Sequence, residues 1–186
     1  MTQIRNSILA GLAFGLLFGI FLAARFDPKY AMIAGPISGL AFGLVIYFFV
    51  TSKIVKRQTQ ILTVAGETII HSGGANHFIN GEAVGGKLYL LNDKLQFQSH
   101  GFNLQNHGIV IDLTQIQKVM FFNTLGLIPN GLAVSTANGQ AEKFVVSGRQ
   151  FWRSEIEKLR TAGKTKMTRN KMEKGDHLAE TFLRTL

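Results

Sequence analysis

The chain contains no cysteine, three prolines and one tryptophan among 186 residues, and its 11 acidic residues are outnumbered by 20 lysines and arginines. Without cysteine, neither a disulfide nor a thiolate metal site can form. That absence fits a reducing cytoplasm but excludes no other compartment. The local absence of charge is more informative, because Ile8–Ala24 and Tyr30–Val50 contain no charged residue at all.

These two uncharged runs predict membrane-spanning helices. A span needs about 20 apolar residues, which the sequence supplies over residues 4–24 and 30–50, with only Arg25–Lys29 between them. A cleaved signal peptide is an alternative for the first run, and the second would then still anchor the chain. Transport pathways usually place ionisable residues inside the membrane. Their absence from both runs favours an anchoring hairpin over residues 1–52.

Each predicted span carries glycines at every fourth position, which places them along one helix face and allows close helix packing. We predict that they pack the two helices against each other, or mediate assembly with another membrane protein. The glycines are Gly11, Gly15 and Gly19 in the first span and Gly35, Gly39 and Gly43 in the second.

The net charge of +9 lies mostly outside the predicted folded domain, since residues 61–162 contain eight basic and seven acidic residues. A linker over residues 53–60 carries Lys53, Lys56 and Arg57 beside the second span. Basic residues of this kind attract anionic lipid. The same residues, under the positive-inside rule, predict that both termini and the domain lie in the cytoplasm. A nucleic-acid partner is not expected, because such proteins concentrate charge on the folded surface that binds phosphates.

From residue 67 onward, apolar residues alternate with a period of two, which indicates short β-strands. A helix with Ser147 and Gln150 as a capping box follows, with Trp152 and Ile156 on its apolar face and Gly163 placed to end it. Residues 163–186 are predicted to form a disordered basic tail. The predicted strands are 67–72, 87–91, 94–98, 108–113, 117–123, 131–136 and 142–146.

One part of this pattern resembles a known family. The segment from Gly86 to Phe97, GKLYLLNDKLQF, resembles the strand–turn–strand signature of GRAM domains, which are pleckstrin-homology-like, and Ile111–Val119 is similar to a later strand of that family. The chain departs from the signature at Leu91, where threonine is usual, and at Lys94, where arginine is usual. The resemblance implies membrane attachment through lipid headgroups or proteins, without enzymatic activity or a cofactor.

Other sequence patterns are weaker indications of a binding or catalytic site. Residues 81–88 nearly match a phosphate-binding loop, but Leu88 stands where a hydroxyl should hold magnesium, and a strand follows instead of a helix. His100 and His107 flank a predicted loop and could approach each other, but loop histidines are usually solvated, so a metal site is not favoured there. The apolar segment 125–130 is either a buried connection or a tip that contacts lipid or a partner. No catalytic residue and no metal ligand can be nominated.

The sequence therefore predicts an α+β chain: a transmembrane helical hairpin, then an antiparallel β-barrel or sandwich of about seven strands capped by a C-terminal helix. The predicted function is that of a non-enzymatic integral membrane adaptor whose domain, residues 61–162, binds anionic lipid headgroups or a protein partner. An accessory-subunit role, with glycine-mediated helix packing or a homo-oligomer, is the alternative, and an enzyme is the least favoured class. The candidate binding residues are Lys87, Lys94, Lys118, Lys143 and Arg149.

Overall fold

A computed structural model describes residues 2–163 and residue 165. The chain divides into two compact units, one up to Gln60 and one from Ile61 onward. The predicted tail lies outside the described residues, apart from residues 163 and 165.

The first unit is helical. It consists of α1 (Thr2–Arg25), α2 (Pro28–Thr51) and the short α3 (Lys53–Gln58). The side chain of Asp27 accepts a hydrogen bond of 2.8 Å from the backbone N–H of Lys29 and so caps α2, whose first residue is a proline. Both long helices have the length and apolar composition needed to cross a membrane. Lys53, Lys56 and Arg57 of the predicted linker lie on α3.

The α1 and α2 backbones approach each other closely at their glycines. A Cβ atom added to Gly39 would lie 2.7 Å from the carbonyl oxygen of Gly11 and 2.9 Å from the Cα of Gly15. The same holds for Gly15, whose Cβ would lie 2.8 Å from the carbonyl oxygen of Gly35. At Gly19 the helices are further apart, because the nearest atoms to an added Cβ are 3.7 Å away. Direct backbone packing of this kind is possible only where side chains are absent.

The two sides of the α1–α2 pair differ. One carries aromatic rings, with Phe14 stacked on Phe42 at a centroid distance of 4.5 Å. Along the glycines runs a groove of about 920 Å³, whose walls include Leu12, Leu16 and Leu40. Ser7 also lines this groove, and its buried hydroxyl has no hydrogen-bond partner among the described residues.

The second unit contains a seven-stranded antiparallel sheet in the order β4-β3-β2-β1-β7-β6-β5. This confirms the predicted fold class and strand number. The strands are β1 (Ile69–Ile79), β2 (Glu82–Leu91), β3 (Lys94–Ser99), β4 (Gly108–Asp112), β5 (Ile116–Thr124), β6 (Ile128–Thr136) and β7 (Ala141–Val146).

A C-terminal helix, α4, covers residues 149–163 and closes the core. Its apolar face is the predicted one, because Trp152 and Ile156 are almost completely buried. They join the inward residues of the sheet in one hydrophobic cluster, which includes Leu88, Leu90, Leu95, Phe97, Leu132, Val134 and Phe144.

Strands β1 and β2 are longer than predicted. The first strand was predicted over residues 67–72 and therefore excluded Gly73 and Gly74, residues of a type that weakens a strand signal. In the structure both glycines pair with β2, opposite Leu88 and Lys87. The strands are then joined by a two-residue turn, in which Asn80 and Gly81 have φ angles of 51° and 82°. Asn-Gly is a strong signal for such a turn, but the strands predicted from the sequence did not include it.

The ends of α4 also differ from the prediction. The helix begins one residue later than the capping box implied, after Gly148 with a φ of 70°. The carbonyl of Gly148 accepts the N–H groups of Phe151 and Trp152. Gly163 does not end the helix, since residue 165 is helical as well. A glycine ends a helix most readily in the left-handed conformation, which Gly163 does not adopt.

Candidate functional site

Lys94, one of the predicted binding residues, forms an ion pair with Glu67. The hydrogen bond from Lys94 lowers the pKa of Glu67, and the same bond raises the pKa of Lys94, so both groups stay charged near neutral pH. Beside this pair, the N–H of Thr68 donates to the side-chain oxygen of Asn92 at 3.0 Å. Lys94 therefore fastens the segment before β1 to the β2–β3 turn, and its charge is balanced by a carboxylate.

Lys87 lies in the middle of β2, opposite Gly74 of β1 and Gln98 of β3. Its ammonium group sits over the ring of Tyr89 at 4.7 Å from the centroid. The phosphate-loop resemblance has no structural counterpart, because Gly85, Gly86 and Lys87 are all within this strand. Gly86 is needed for strand packing: a Cβ atom there would lie 2.7 Å from the ring of Phe97.

The remaining candidates are found around β5, which is an edge strand of the sheet. The guanidinium of Arg149 lies 4.8 Å from the ring centroid of Phe121. It also donates to the carbonyl oxygen of Phe122 at 2.7 Å. Lys143 of β7 approaches the ring of Phe122 at 6.0 Å. Lys118 is exposed on β5 itself.

Arg153 completes this group and was not predicted. It lies one helical turn after Arg149, its guanidinium is 5.1 Å from the ring centroid of Phe121, and it pairs with Glu157 at 2.9 Å. The spacing of Arg149 and Arg153 by four residues would have placed them on one face of α4. We call Lys118, Phe121, Phe122, Lys143, Arg149 and Arg153 the β5 cluster.

The turn after β5 is an exposed apolar tip. Leu125 and Leu127 are 86% and 83% exposed, and Ile128 is 48% exposed. Of the two interpretations of segment 125–130, the structure excludes a buried connection. Leu125 also has a φ of 53°, a conformation that leucine rarely adopts.

A buried hydrogen-bonded network at another part of the sheet was missed by the sequence interpretation. His77 of β1 is 1% exposed. Its Nε2 lies 2.8 Å from a carboxylate oxygen of Glu142 on β7, and its Nδ1 lies 2.8 Å from Nε2 of His107. A carboxylate accepts hydrogen bonds, so Nε2 of His77 is the donor to Glu142. His107 thus bonds to His77, from which it is separated by 30 positions, and the sequence offers no local signal for this pairing.

The network is enclosed by aromatic rings. Phe97 and Phe144 lie 5.6 Å and 4.8 Å from the ring of His77. Burial lowers the pKa of His107, the neighbouring His77 lowers it further, and Glu142 opposes both effects. The other ring nitrogen of His107, Nδ1, is buried and finds no hydrogen-bond partner in the part of the chain that the structure describes. Within the described part of the chain, no group of three or more histidine or acidic residues is arranged to hold a metal ion.

The pKa directions predict that acid destabilises the β-domain. Burial also lowers the pKa values of His71 and His100. The unfolded chain therefore takes up protons first, near its histidine pKa of about 6.5. The histidine contribution to stability is complete above that pH and is lost as the pH falls through the lower folded-state values. Urea unfolding, followed by Trp152 fluorescence between about pH 7.5 and 5.5, should show falling stability, less steeply in His107→Gln. A pH-independent midpoint would contradict this.

Seven antiparallel strands closed by one C-terminal helix define a pleckstrin-homology-like domain, which follows two helices long enough to span a membrane. No protein-family model and no curated protein matches the sequence.

Among solved structures, the chain is similar to the N-terminal PH domain of Vps36, with 14% identity over 58% of this chain and 89% of that one, at a TM-score of 0.48. It is also similar to the C-terminal domain of an unknown protein from Leishmania infantum, with 19% identity, 52% and 87% coverage and a TM-score of 0.46. A third similar structure is the Slm1 PH domain in complex with inositol-4-phosphate, with 12% identity, 50% and 95% coverage and a TM-score of 0.37.

Proposed function

We propose that the chain is a non-enzymatic integral membrane protein, with two spans and with both termini and the β-domain in the cytoplasm. Its domain, of the GRAM type by the resemblance of Gly86–Phe97, binds anionic lipid headgroups at the membrane surface. The observation that carries this proposal is the β5 cluster, in which Arg149 and Arg153 contact the exposed ring of Phe121 and Lys143 contacts the half-buried ring of Phe122, at one sheet edge.

The charge pattern around this cluster supports an anionic ligand. No aspartate or glutamate occurs between Asp112 and Glu142, so the whole β5–β6 hairpin is free of acidic residues. Lys94 contributes less to such a surface, because Glu67 balances its charge. The proposal therefore centres on Lys118, Lys143 and Arg149 and leaves Lys87 and Lys94 outside the binding surface.

The test compares two double variants that remove the same net charge. Lys118→Ala with Lys143→Ala should weaken binding of the isolated domain to anionic vesicles roughly thirty-fold, since a basic residue near the surface contributes about 1 kcal/mol. Lys87→Ala with Lys158→Ala should have a much smaller effect. Vesicle flotation at several salt concentrations measures both. Binding that is independent of anionic lipid, or equally weakened in the two variants, would contradict the proposal.

A second candidate function is that of an accessory subunit assembled through the helical hairpin. The observation in its favour is the groove along the glycines, which contains the Ser7 hydroxyl, a group that has no partner within the described ranges 2–163 and 165. In a membrane such a hydroxyl gains from a partner on another helix. Loss of a larger complex in Ser7→Ala, with vesicle binding by the domain unchanged, would favour this function.

A further inference from the structure

The apolar tip between β5 and β6 is not explained by folding. The two most exposed residues of this turn are both leucines, and neither is part of the hydrophobic core of the domain. Leu125 in addition holds a left-handed backbone conformation, which favours glycine over a leucine side chain. Glycine or asparagine at position 125 would adopt this conformation more readily and would expose no apolar side chain there. Four of the described leucines are more than 80% exposed, and two of them, Leu125 and Leu127, stand together at the end of this hairpin.

The tip nevertheless has a hydrogen-bonded backbone conformation. The N–H of Gly126 donates to the carbonyl of Asn123 at 3.1 Å, and that of Leu127 donates to the carbonyl of Thr124 at 3.2 Å. The hydroxyl of Thr124 bonds to the side chain of Asn130 at 2.6 Å across the base of the turn. The leucines are therefore displayed by an ordered turn, so little conformational freedom is left to lose when they are buried.

Cations follow directly behind the apolar side chains. Arg149 donates to the side chain of Asn123 at 3.2 Å, two residues before Leu125. Among the described residues, its hydrogen bonds go to neutral oxygen atoms only, whereas Arg153 shares its charge with Glu157. From the tip inward, the domain presents aliphatic side chains, then an aromatic ring, then cations. The interface of a bilayer presents matching chemistry in the same order, from acyl chains to phosphates.

From this arrangement we infer that the tip inserts Leu125 and Leu127 into the acyl–headgroup boundary of the bilayer that the protein's own hairpin spans. The inference rests on the proposed function and adds to it which part of the domain enters the bilayer. The occupant is a lipid surface because residues 52–68 limit the domain to within about 60 Å of the hairpin when fully extended. Such a tether keeps the local concentration of bilayer high. Strands β5 and β6 also contain no acidic residue, so they match anionic headgroups rather than a basic protein partner.

The absence of cysteine permits a direct measurement of depth in the full-length protein. In nanodiscs, an environment-sensitive fluorophore on Leu127→Cys should be quenched by nitroxide-bearing lipids at a shallow depth. The matched control is Ala137→Cys, an exposed position in the β6–β7 turn. It follows the other end of the nine-residue strand β6, about 30 Å away, and should not be quenched. Equal or absent quenching at both positions would overturn the inference.

A second variant separates the tip's own side chains from the label. The fluorophore on Pro129→Cys should be quenched in the natural background and should lose quenching when Leu125→Ser and Leu127→Ser are added. Both leucines are exposed, so these changes leave the core intact. Unchanged quenching would overturn the inference, as would a tip that is unquenched by lipid but cross-links to a protein in native membranes.

The two proposals fail in different ways. Tip insertion is measured by quenching in nanodiscs of zwitterionic lipid, where headgroup charge plays no part. Headgroup binding is measured by the difference in binding between anionic and zwitterionic vesicles. Quenching at residue 127 without any dependence on anionic lipid would leave the tip inserted and refute the headgroup site, and the reverse result would refute the tip alone.

Discussion

Gly39→Ala is expected to separate α1 from α2. The added Cβ would lie 2.7 Å from a carbonyl oxygen and 2.9 Å from a Cα atom of α1. Both are backbone atoms, so no side-chain rotation can make room, and the helices must move apart along much of their length. Alanine favours a helix over glycine by about 1 kcal/mol, which makes any loss of pairing attributable to the interface and not to helix formation.

The matched control is Gly19→Ala, which is the same chemical change in the same glycine series. Its Cβ would meet the nearest atoms at 3.7 Å, an ordinary contact. Spin labels on Leu16→Cys and Leu40→Cys, which lie on the groove walls, report the helix separation by pulsed electron resonance. The distance distribution should broaden and lengthen in Gly39→Ala and remain unchanged in Gly19→Ala. Similar distributions in both variants would refute backbone-to-backbone packing at Gly39.

Glu142→Leu is expected to have the largest effect within the β-domain. It removes the acceptor of a buried histidine and leaves the Nε2–H of His77 without a partner. Hydrogen bonds to charged groups contribute about 1.5–3 kcal/mol, and a buried unpaired donor costs a similar amount. We expect the free energy of unfolding to fall by about 2–3 kcal/mol. The single tryptophan, Trp152, is buried in the core of this domain, so its fluorescence in urea reports this unfolding alone.

Glu142→Gln provides the control, since the amide oxygen can still accept from His77 although it carries no charge. Its loss of stability should be clearly smaller than that of the leucine variant. Equal destabilisation by the two changes would show that charge, and not hydrogen-bond satisfaction, is what His77 requires. No destabilisation in either variant would refute the network as a contributor to folding.

The architecture was predictable because each of its elements leaves a local signal. The uncharged runs define α1 and α2, and the alternation around Leu95 and Phe97 defines β3 and the adjoining hairpin. The spacing of Trp152 and Ile156 identifies the buried face of α4. These signals extend over four to twenty neighbouring residues, so they can be read without knowledge of the remaining fold. Glycines inside β1 weakened the same signal, and the strand was predicted too short.

The candidate site was less predictable because its contacts join residues far apart in sequence. His77 and Glu142 are 65 positions apart, and neither lies in a motif. Lys94 and Glu67 are 27 apart, and their pairing turns a candidate ligand residue into a structural one. A positively charged residue in the sequence is a candidate for binding an anion. Which carboxylate lies close to that charge is decided by the pairing of strands β1, β2, β3 and β7, which brings distant residues together.

The close pairing of α1 and α2 has a consequence for the membrane that we propose the hairpin spans. The uncharged stretches, Ile8–Ala24 in α1 and Tyr30–Val50 in α2, are about 26 and 32 Å long at 1.5 Å per residue, against a hydrocarbon core of about 30 Å. Because the helices are joined by two residues and packed through their backbones, they must tilt together, and neither can compensate for the other. In the proposed two-span arrangement, the pair therefore adapts to a bilayer of another thickness as one unit, by tilting or by deforming the lipid around both helices together.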